Sequence, residues 1–235
     1  QAEDGIRDLD SCLVGSEMCI RDRLHADFSA AVALDTLALP WLPSPDGSVR
    51  RRMLDRIGGE VARATSIVRY PPGSRFPAHN HALGEEFLVL DGVFSGEHGD
   101  YPAGTYVRNP PGSAHAPRSD AGCTIFVKLR QMPPDENRYV RIEPGNAPWR
   151  PWRGLRRLDL FDADYETVFM IESGDAAVRV VPEPAAGLEA LVLDGSLRAN
   201  GERHGPMAWI RQPSAIGLAL ASGTRIWIKT GHLSP

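Results

Sequence analysis

The sequence predicts an all-β protein, and two features of its residue pattern point to that class. Short runs rich in β-branched and aromatic residues, such as ATSIVRY, EEFLVLD and CTIFVKL, are separated by Gly, Pro and Asp turns. No long amphipathic stripe of helical period competes with them, and the one short candidate helix, near Asp55 to Val61, is interrupted by Gly58 and Gly59. The pattern is typical of a β-sandwich or a jelly roll.

A third feature is an internal repeat, which predicts two copies of one β-domain. The segment 90–110 is echoed by 193–213, and the run GCTIFVKL is echoed by GTRIWIKT. Self-similarity over this distance indicates a duplicated unit. The Pro-rich polar stretch QMPPDENRYVRIEPGNAPWRPW separates the copies, and we place the domains at 24–140 and 141–235.

Composition favours an ordinary globular protein; a small-molecule ligand or substrate is expected from the site residues and not from composition. The chain has 235 residues, of which 42% are hydrophobic and 24% charged. A formal net charge of −4 and a pI near 6.0 provide no basic field for nucleic acid or anionic lipid. No apolar run approaches the roughly 18 residues that a membrane helix needs. We therefore expect neither nucleic acid nor a membrane as a partner.

Residues 1–23 are expected to lie outside the fold. They lack an initiator Met and show neither strand alternation nor a helical stripe, so we interpret them as a non-native or disordered tail. Cys12 and Cys19 fall in this tail, which leaves Cys123 as the one cysteine of the domains. A disulfide framework is therefore not expected, and this is typical of the reducing cytoplasm.

Two phrases contain the residue types of a metal site. The first, GSRFPAHNHALGEEFLVLDG, begins at Gly73, and the second, GTYVRNPPGSAH, begins at Gly104. Because side chains alternate along a strand, His79 and His81 point to the same side. After a short bend, Glu85 opens the next strand.

The remaining ligand candidate arrives from a neighbouring strand. Glu85 shares a strand face with Phe87 and Val89, and His115 follows a rigid Pro-Pro-Gly turn whose Gly can take a positive φ. If that face lines a barrel interior, three imidazoles and one carboxylate converge among apolar walls. Such neutral and anionic donors suit a divalent metal ion.

Both phrases resemble the two cupin motifs, and the wording around them is similar to the ChrR-like cupins, named after the C-terminal domain of an anti-sigma factor. The resemblance implies two tandem cupin jelly-roll barrels, a bicupin, with His79, His81, Glu85 and His115 as the metal ligands. One departure is visible, because Ser119 stands where the general second motif ends in Asn. That Asn is not a ligand, so the implied metal site is unaffected.

The second copy lacks the ligand types of the first. Superposing the repeats matches His79, His81, Glu85 and His115 with Pro182, Pro184, Leu188 and Leu218. Without imidazoles a divalent cation would lose its compensating shell, so we expect a metal-free barrel with a structural role or, alternatively, an empty ligand pocket. The nearby Glu189 matches Glu86, which we expect to face outward.

Three functions fit the expected cofactor, which is one divalent metal ion, Fe or Zn in the first place, with Mn and Ni also compatible. With Fe the site can bind and polarise a chelating diketone, and the resemblance implies a dioxygenase, because some proteins of related cupin sequence are dioxygenases that act on diketones or aryl ketones. Phe87 and Val89 would then be walls, and Arg108 or Tyr106 a partner for a substrate oxygen; no catalytic residue is assigned. With Zn the site suits a non-catalytic regulatory module. The third function is a sensor or storage module whose ligand completes the metal shell.

The remaining expectations concern other histidines and protein partners. His25, His98, His204 and His232 have no partner motif, so we interpret them as surface residues. A homodimer is expected, because cupin sheets often pair at an edge. The regulator related to this family holds its sigma factor through a separate helical zinc domain, and nothing similar precedes Leu24. We therefore expect no sigma-factor binding of that kind.

Overall fold

The computed structural model of the protein describes residues 22–59, 61–182 and 187–233. Every regular element within these ranges is a β-strand, which confirms the predicted all-β class. Most of the expected tail, including Cys12 and Cys19, lies outside the described residues, whereas Arg23 already pairs with Ile57. The described part of the chain contains no helix that is long and apolar enough to cross a membrane.

The strands are numbered in chain order. The N-terminal half contains β1 (Arg23–Leu24), β2 (Val32–Asp35), β3 (Leu42–Pro43), β4 (Arg50–Ile57), β5 (Arg63–Tyr70), β6 (Ser74–Arg75), β7 (His79–Asn80), β8 (Glu85–Gly96), β9 (Gly99–Pro102), β10 (Tyr106–Asn109), β11 (Ala114–His115), β12 (Arg118–Ser119), β13 (Cys123–Leu129) and β14 (Val140–Ile142). The C-terminal half contains β15 (Arg150–Trp152), β16 (Leu155–Ala163), β17 (Glu166–Glu172), β18 (Val178–Val180), β19 (Leu188–Asp194), β20 (Leu197–Ala199), β21 (Glu202–His204), β22 (Ala208–Gln212), β23 (Leu218–Leu220) and β24 (Arg225–Thr230).

The short helix predicted near Asp55 to Val61 is wrong. Asp55 lies inside β4, which pairs antiparallel with β5 along its length and carries a bulge between Met53 and Asp55. Pairing satisfies the backbone polar groups of this segment and buries Leu54 and Asp55. Tertiary contacts therefore override a weak local pattern.

The first barrel is formed by an eleven-stranded sheet and a two-stranded ribbon. The main sheet order is β1-β4-β5-β13-β8-β10-β14, with β3, β6, β9 and β12 pairing at its margins, and the ribbon is β11-β7. The long strand β8 lies between β13 and β10, and both neighbours are antiparallel to it. This register sets Glu85 opposite Asn109 and Phe87 opposite Val107.

The second barrel repeats this arrangement with a seven-stranded and a four-stranded sheet. Their orders are β15-β16-β17-β24-β19-β22-β2 and β18-β23-β20-β21. Strand β2 comes from the N-terminal half of the sequence but pairs with β22 at the edge of the larger sheet. The chain therefore crosses between the barrels early, and the domain division at 24–140 and 141–235 stays a prediction.

Three apolar cores occupy the molecule. One fills the first barrel and contains Phe87, Val89 and Phe94; one fills the second barrel and contains residues such as Phe169. The third lies between the barrels, where Leu88 and other first-barrel residues pack on Trp209, Trp227 and their neighbours. The barrels thus share a continuous buried interface, and burial of apolar surface holds them together.

Four charged side chains form an inter-barrel ion cluster within this interface: Glu86 and Arg108 from the first barrel, and Glu166 and Lys229 from the second. Lys229 Nζ lies 2.6 Å from Glu86 Oε2 and 2.8 Å from Glu166 Oε2. Arg108 Nη1 lies 3.2 Å from Glu86 Oε2 and 2.6 Å from Glu166 Oε1. Burial opposes ionisation of Glu86, but Lys229 and Arg108 outweigh it and lower the pKa of Glu86 to about 2.

A second buried pair reflects the sequence repeat. Lys128 Nζ donates to Glu189 Oε2 at 2.6 Å, and these two residues occupy the repeat positions of Lys229 and Glu86. A lysine of each barrel thus forms an ion pair with a glutamate of the other barrel. The prediction that Glu86 faces outward needs correction: it points away from its own barrel interior, but it is buried at 2% exposure because the second barrel covers that face.

Candidate metal centre

Three short segments bring the predicted ligands to one end of the first barrel. In the ribbon, β7 pairs antiparallel with β11 and sets His79 opposite His115. His81 follows β7 directly, and its N–H donates to the carbonyl of Ser113 at 2.9 Å. Glu85 is the first residue of β8, so the ribbon and the main sheet meet at the site.

Two glycines make the turns around the site possible. Gly84 has φ +75° between His81 and Glu85, and a Cβ there would lie 2.4 Å from the sulfur of Met132. Gly112 has φ +81°, the positive φ that was expected for the Pro-Pro-Gly turn before His115. Its N–H donates to the carbonyl of His81 at 2.9 Å. Any L-residue would be strained at these backbone angles, so both turns depend on Gly.

The three histidines form one compact group. One ring nitrogen from each of His79, His81 and His115 lies within 4.8 Å of the others, and this group is the one set of potential metal ligands detected among the described residues. The ring centroids are 4.7 to 5.0 Å apart. Glu85 Oε2 lies 3.6 Å from Nε2 of His81 and 3.5 Å from Nε2 of His115. All four predicted ligands are therefore neighbours.

The donor atoms fit a bound cation. Nε2 of His81 and Nε2 of His115 are buried and have no hydrogen-bond partner, which is costly for polar nitrogens. His81, Glu85 and His115 are at most 9% exposed, whereas His79 is exposed. A cation among them would satisfy the two orphaned nitrogens and remain accessible from the side of His79.

Local electrostatics keep the two buried imidazoles in the neutral form that can bind a metal. Burial, reinforced by His79, lowers the pKa of His81 to about 4. Burial also lowers the pKa of His115, although Glu85 opposes this shift. The pKa of Glu85 is raised by burial, against the effects of His115 and of a hydrogen bond from Asn109. At neutral pH the buried imidazoles are uncharged, so a metal need not displace protons from them.

Neighbouring groups orient two of the predicted ligands. Nδ1 of His79 lies 3.1 Å from the carbonyl oxygen of Pro77 and must donate to it, which leaves the Nε2 lone pair available. Asn109 Nδ2 donates to Glu85 Oε2 at 3.0 Å, to the same oxygen that faces His81 and His115. Sequence reasoning missed Asn109; its place one strand from Glu85 follows only from the β8–β10 register.

Apolar side chains form the interior behind the site. Phe87 and Val89 are each 1% exposed and belong to the first-barrel core, on the strand face that Glu85 shares. The Phe94 ring links them to the site, with its centroid 5.0 Å from that of Phe87 and 6.1 Å from that of His115. The site therefore has a water-exposed side at His79 and a dry side in the barrel.

The two residues that were predicted to contact a substrate oxygen, Tyr106 and Arg108, lie on the face of β10 that points away from the barrel interior. Side chains alternate along β10, so Tyr106 and Arg108 point away from Asn109 and the barrel interior. Tyr106 Oη donates to Glu86 Oε1 at 2.8 Å, and Arg108 belongs to the inter-barrel ion cluster. The suggestion that Arg108 or Tyr106 binds a substrate oxygen is therefore wrong.

His232 is also not the surface residue that was predicted. Its side chain is 4% exposed, and its Nε2 lies 2.9 Å from Glu189 Oε2 between the barrels. Burial lowers the pKa of His232 to about 4, although Glu189 opposes the shift. No sequence motif marked this residue, because its partner comes from a strand more than forty positions away.

The second barrel has an apolar interior at the equivalent positions. Leu188 and Leu218, which match Glu85 and His115, are at most 1% exposed and belong to its core. Pro182 is buried, and Pro184 lies outside the described residues. The expectation of a metal-free second barrel stays a prediction, supported by this apolar lining.

Comparison with solved structures shows which proteins share the fold of this chain. A candidate dioxygenase from Nostoc punctiforme matches with a TM-score of 0.69 at 14% identity, covering 88% of this chain and 85% of the other. The E. coli protein Ylba matches with a TM-score of 0.70 at 13% identity, covering 88% and 93%. The E. coli pirin YhhW, solved in complex with nickel(II), matches with a TM-score of 0.63 at 12% identity, covering 85% and 98%.

Sequence comparison matches the part of the chain that carries the histidines to a known family. No curated protein matches this chain. Residues 29–133, however, match the family described as the ChrR Cupin-like domain, and this range contains both histidine phrases and all four predicted ligands. The fold class predicted from the sequence, all-β with tandem cupin jelly-roll barrels, agrees with these findings. Residues 29–133 of this chain are therefore similar in sequence to the ChrR Cupin-like domain.

Proposed function

We propose that the protein is a mononuclear metal-dependent dioxygenase that acts on a small diketone or an aryl ketone. The observation that carries this proposal is the cluster of His79, His81 and His115 with Glu85, in which two buried imidazole nitrogens have no partner. These four residues would hold the metal. Four protein donors leave coordination positions open on an octahedral ion, which is the arrangement that suits catalysis.

The chemistry divides between the metal and the chain. When bound, an iron ion supplies Lewis acidity toward a carbonyl and the redox capacity that dioxygenation requires. The chain supplies the rest: Asn109 holds the Glu85 carboxylate, and Pro77 fixes the tautomer of His79. Phe87 and Phe94 keep the inner side of the site dry, which strengthens electrostatic interactions there.

Metal analysis with an oxygen-uptake assay tests this function. The protein is purified without oxygen and without added metal, beside a His79→Ala/His81→Ala variant. We expect near-stoichiometric iron that is lost in the variant, and oxygen uptake with acetylacetone or an aryl ketone by the iron form. Metal content that is unchanged in the variant would contradict the ligand assignment. Iron without oxygen uptake would contradict the dioxygenase function.

A second candidate function is a zinc-binding sensing or regulatory module. The observation that favours it is the match of residues 29–133 to the ChrR cupin-like family, whose namesake is a regulator. Zinc as the purified metal, dependent on the same histidines, would support this module over the dioxygenase. Chelation should then lower the melting temperature markedly, because structural zinc contributes on the order of 10 kcal/mol to folding.

The setting of this activity is also a proposal. We place the protein in the cytoplasm, since the one cysteine among the described residues, Cys123, is buried and unpaired. We also propose that it forms a homodimer through sheet edges. The ligand-bearing unit would be 24–140, with 141–235 as its structural support.

A further inference from the structure

A side cleft opens beside the metal centre, on the ligand-facing side of the sheet. In the β10–β14 pairing, Val107 lies opposite Arg141. Extending that antiparallel register by two positions brings Tyr139 level with Asn109. Because side chains alternate, Val107, Asn109, Tyr139 and Arg141 all point to the face that carries Glu85. The cleft therefore lies on the same face of the sheet as Glu85, toward the sheet edge, and shares Asn109 with the surroundings of the candidate metal centre.

This cleft has the size and the lining of a small-molecule site. Its volume is about 500 Å³, and its walls include Tyr101, Val107, Asn109, Tyr139 and Arg141. Ligand pockets typically measure roughly 300 to 1,000 Å³ and combine apolar or aromatic walls with a few polar groups. Tyr101 is 6% exposed and packs edge-on against Phe87, with ring centroids 5.8 Å apart, so one wall is continuous with the barrel core.

Arg141 supplies the positive charge of the cleft. Its guanidinium lies 4.8 Å from the centroid of the Tyr101 ring and donates to the carbonyls of His98 at 3.0 Å and Asp100 at 2.8 Å. It also donates to Glu143 Oε1 at 2.8 Å. These three bonds use three of the five N–H groups of a guanidinium, so two remain for a ligand. The carbonyl contacts fix the group beside the aromatic wall.

Asn109 connects the cleft to the metal centre. Its amide nitrogen gives one N–H to Glu85 Oε2, and the amide also carries a second N–H and an oxygen. We propose that the side cleft binds the carboxylate group of a diketone or aryl ketone that also carries an acid, with Arg141 recognising the acid and Asn109 guiding the ketone end toward the metal. This inference names the substrate class for the proposed function and rests on that function only for the reacting end of the ligand.

Calorimetric titration of the full-length protein, as purified, tests the cleft. The probes are 4-phenylbutanoate and its neutral analogue 4-phenylbutan-1-ol. We expect the acid to bind about tenfold more tightly than the alcohol, the ratio that 1.4 kcal/mol provides. Arg141→Gln should abolish this preference, and Arg141→Lys should keep part of it. Arg75→Gln is the matched control, because Arg75 forms an exposed ion pair with Asp120 at 2.8 Å, away from the cleft.

The outcomes separate this inference from the metal-dependent function. Equal binding of the two probes, no binding of either, or a preference that survives Arg141→Gln would overturn the cleft. Preference for the acid should persist in His79→Ala/His81→Ala; its loss there would show the carboxylate binding the metal and would also overturn the cleft. Metal retained by that double variant would contradict the metal ligands while leaving the Arg141 result intact.

Discussion

Replacing Lys229 by Met should destabilise the protein strongly, although no predicted metal ligand is touched. The Lys229 ammonium is 1% exposed and lies between Glu86 and Glu166, at 2.6 and 2.8 Å. The inter-barrel ion cluster balances two carboxylates with two cations, so Met leaves one buried negative charge in excess. Removing one partner of a buried pair typically costs 3 to 5 kcal/mol. Arg108 still contacts both carboxylates, so we expect about 3 kcal/mol, the lower end.

Thermal unfolding measures this loss directly. For a chain of this length each kcal/mol shifts the melting temperature by about 2 to 4 °C, so Lys229→Met should lower it by roughly 6 to 12 °C. Adding Glu86→Gln restores the balance of the cluster, with Arg108 facing Glu166, so the double variant should be more stable than Lys229→Met alone. Arg75→Gln, which breaks an exposed ion pair, should cost less than about 1 kcal/mol.

Two results would refute this reasoning. If Lys229→Met shifts the melting temperature no more than Arg75→Gln does, the cluster is hydrated in solution and its charges are not desolvated. If Glu86→Gln lowers the stability of Lys229→Met further, charge balance is not what the cluster requires. The repeat-related variant Lys128→Met should also lower the melting temperature, since Lys128 Nζ lies 2.6 Å from the buried Glu189.

Two further predictions concern Asn109 and His232. Asn109→Ala should weaken metal binding by about 10- to 100-fold in competition with a chelator, the usual cost of losing a group that orients a ligand, while Asn80→Ala, at an exposed amide of the ribbon, should not. The pKa of His232 is about 4 in the folded protein, below its ordinary 6.5. The unfolded chain therefore takes up a proton first as pH falls, and wild-type stability should drop by about 3 kcal/mol between pH 6.5 and 4 from this residue. His232→Gln should lose that part of the slope in chemical denaturation; parallel curves for both proteins would contradict the assignment.

The sequence could predict features that depend on local geometry. Strand alternation placed His79 and His81 together, and the Gly-Pro punctuation brought His115 back to them, as their distances show. Glu85 was expected beside them because it opens a strand with an unmistakable apolar run, and it lies 3.5 Å from His115. These inferences needed only the two-residue period of a strand and the conformational freedom of Gly.

Features that depend on the packing of one barrel against the other could not be predicted in this way. An acidic residue on the outer face of a strand is ordinarily solvated, so Glu86 was expected to be exposed, yet the second barrel buries it. Arg108 was assigned to the wrong face for the same reason. A usable signal was present: Glu86 and Glu189, and likewise Lys128 and Lys229, recur at equivalent repeat positions. Charges repeated on strand faces in both copies indicate that the copies face each other.

The two faces of the central strands link this buried cluster to the metal centre. On β8, Glu85 points to the histidines while Glu86 points to Lys229; on β10, Asn109 bonds to Glu85 while Arg108 bonds to Glu86. A slip of one residue in either strand would exchange these faces and would bury every one of these charges without its partner. The second barrel, through Lys229, therefore favours the strand register on which the geometry of the candidate metal centre depends. This contribution gives the second barrel, whose matched positions carry Pro and Leu instead of His and Glu, a physical reason to be part of the same chain.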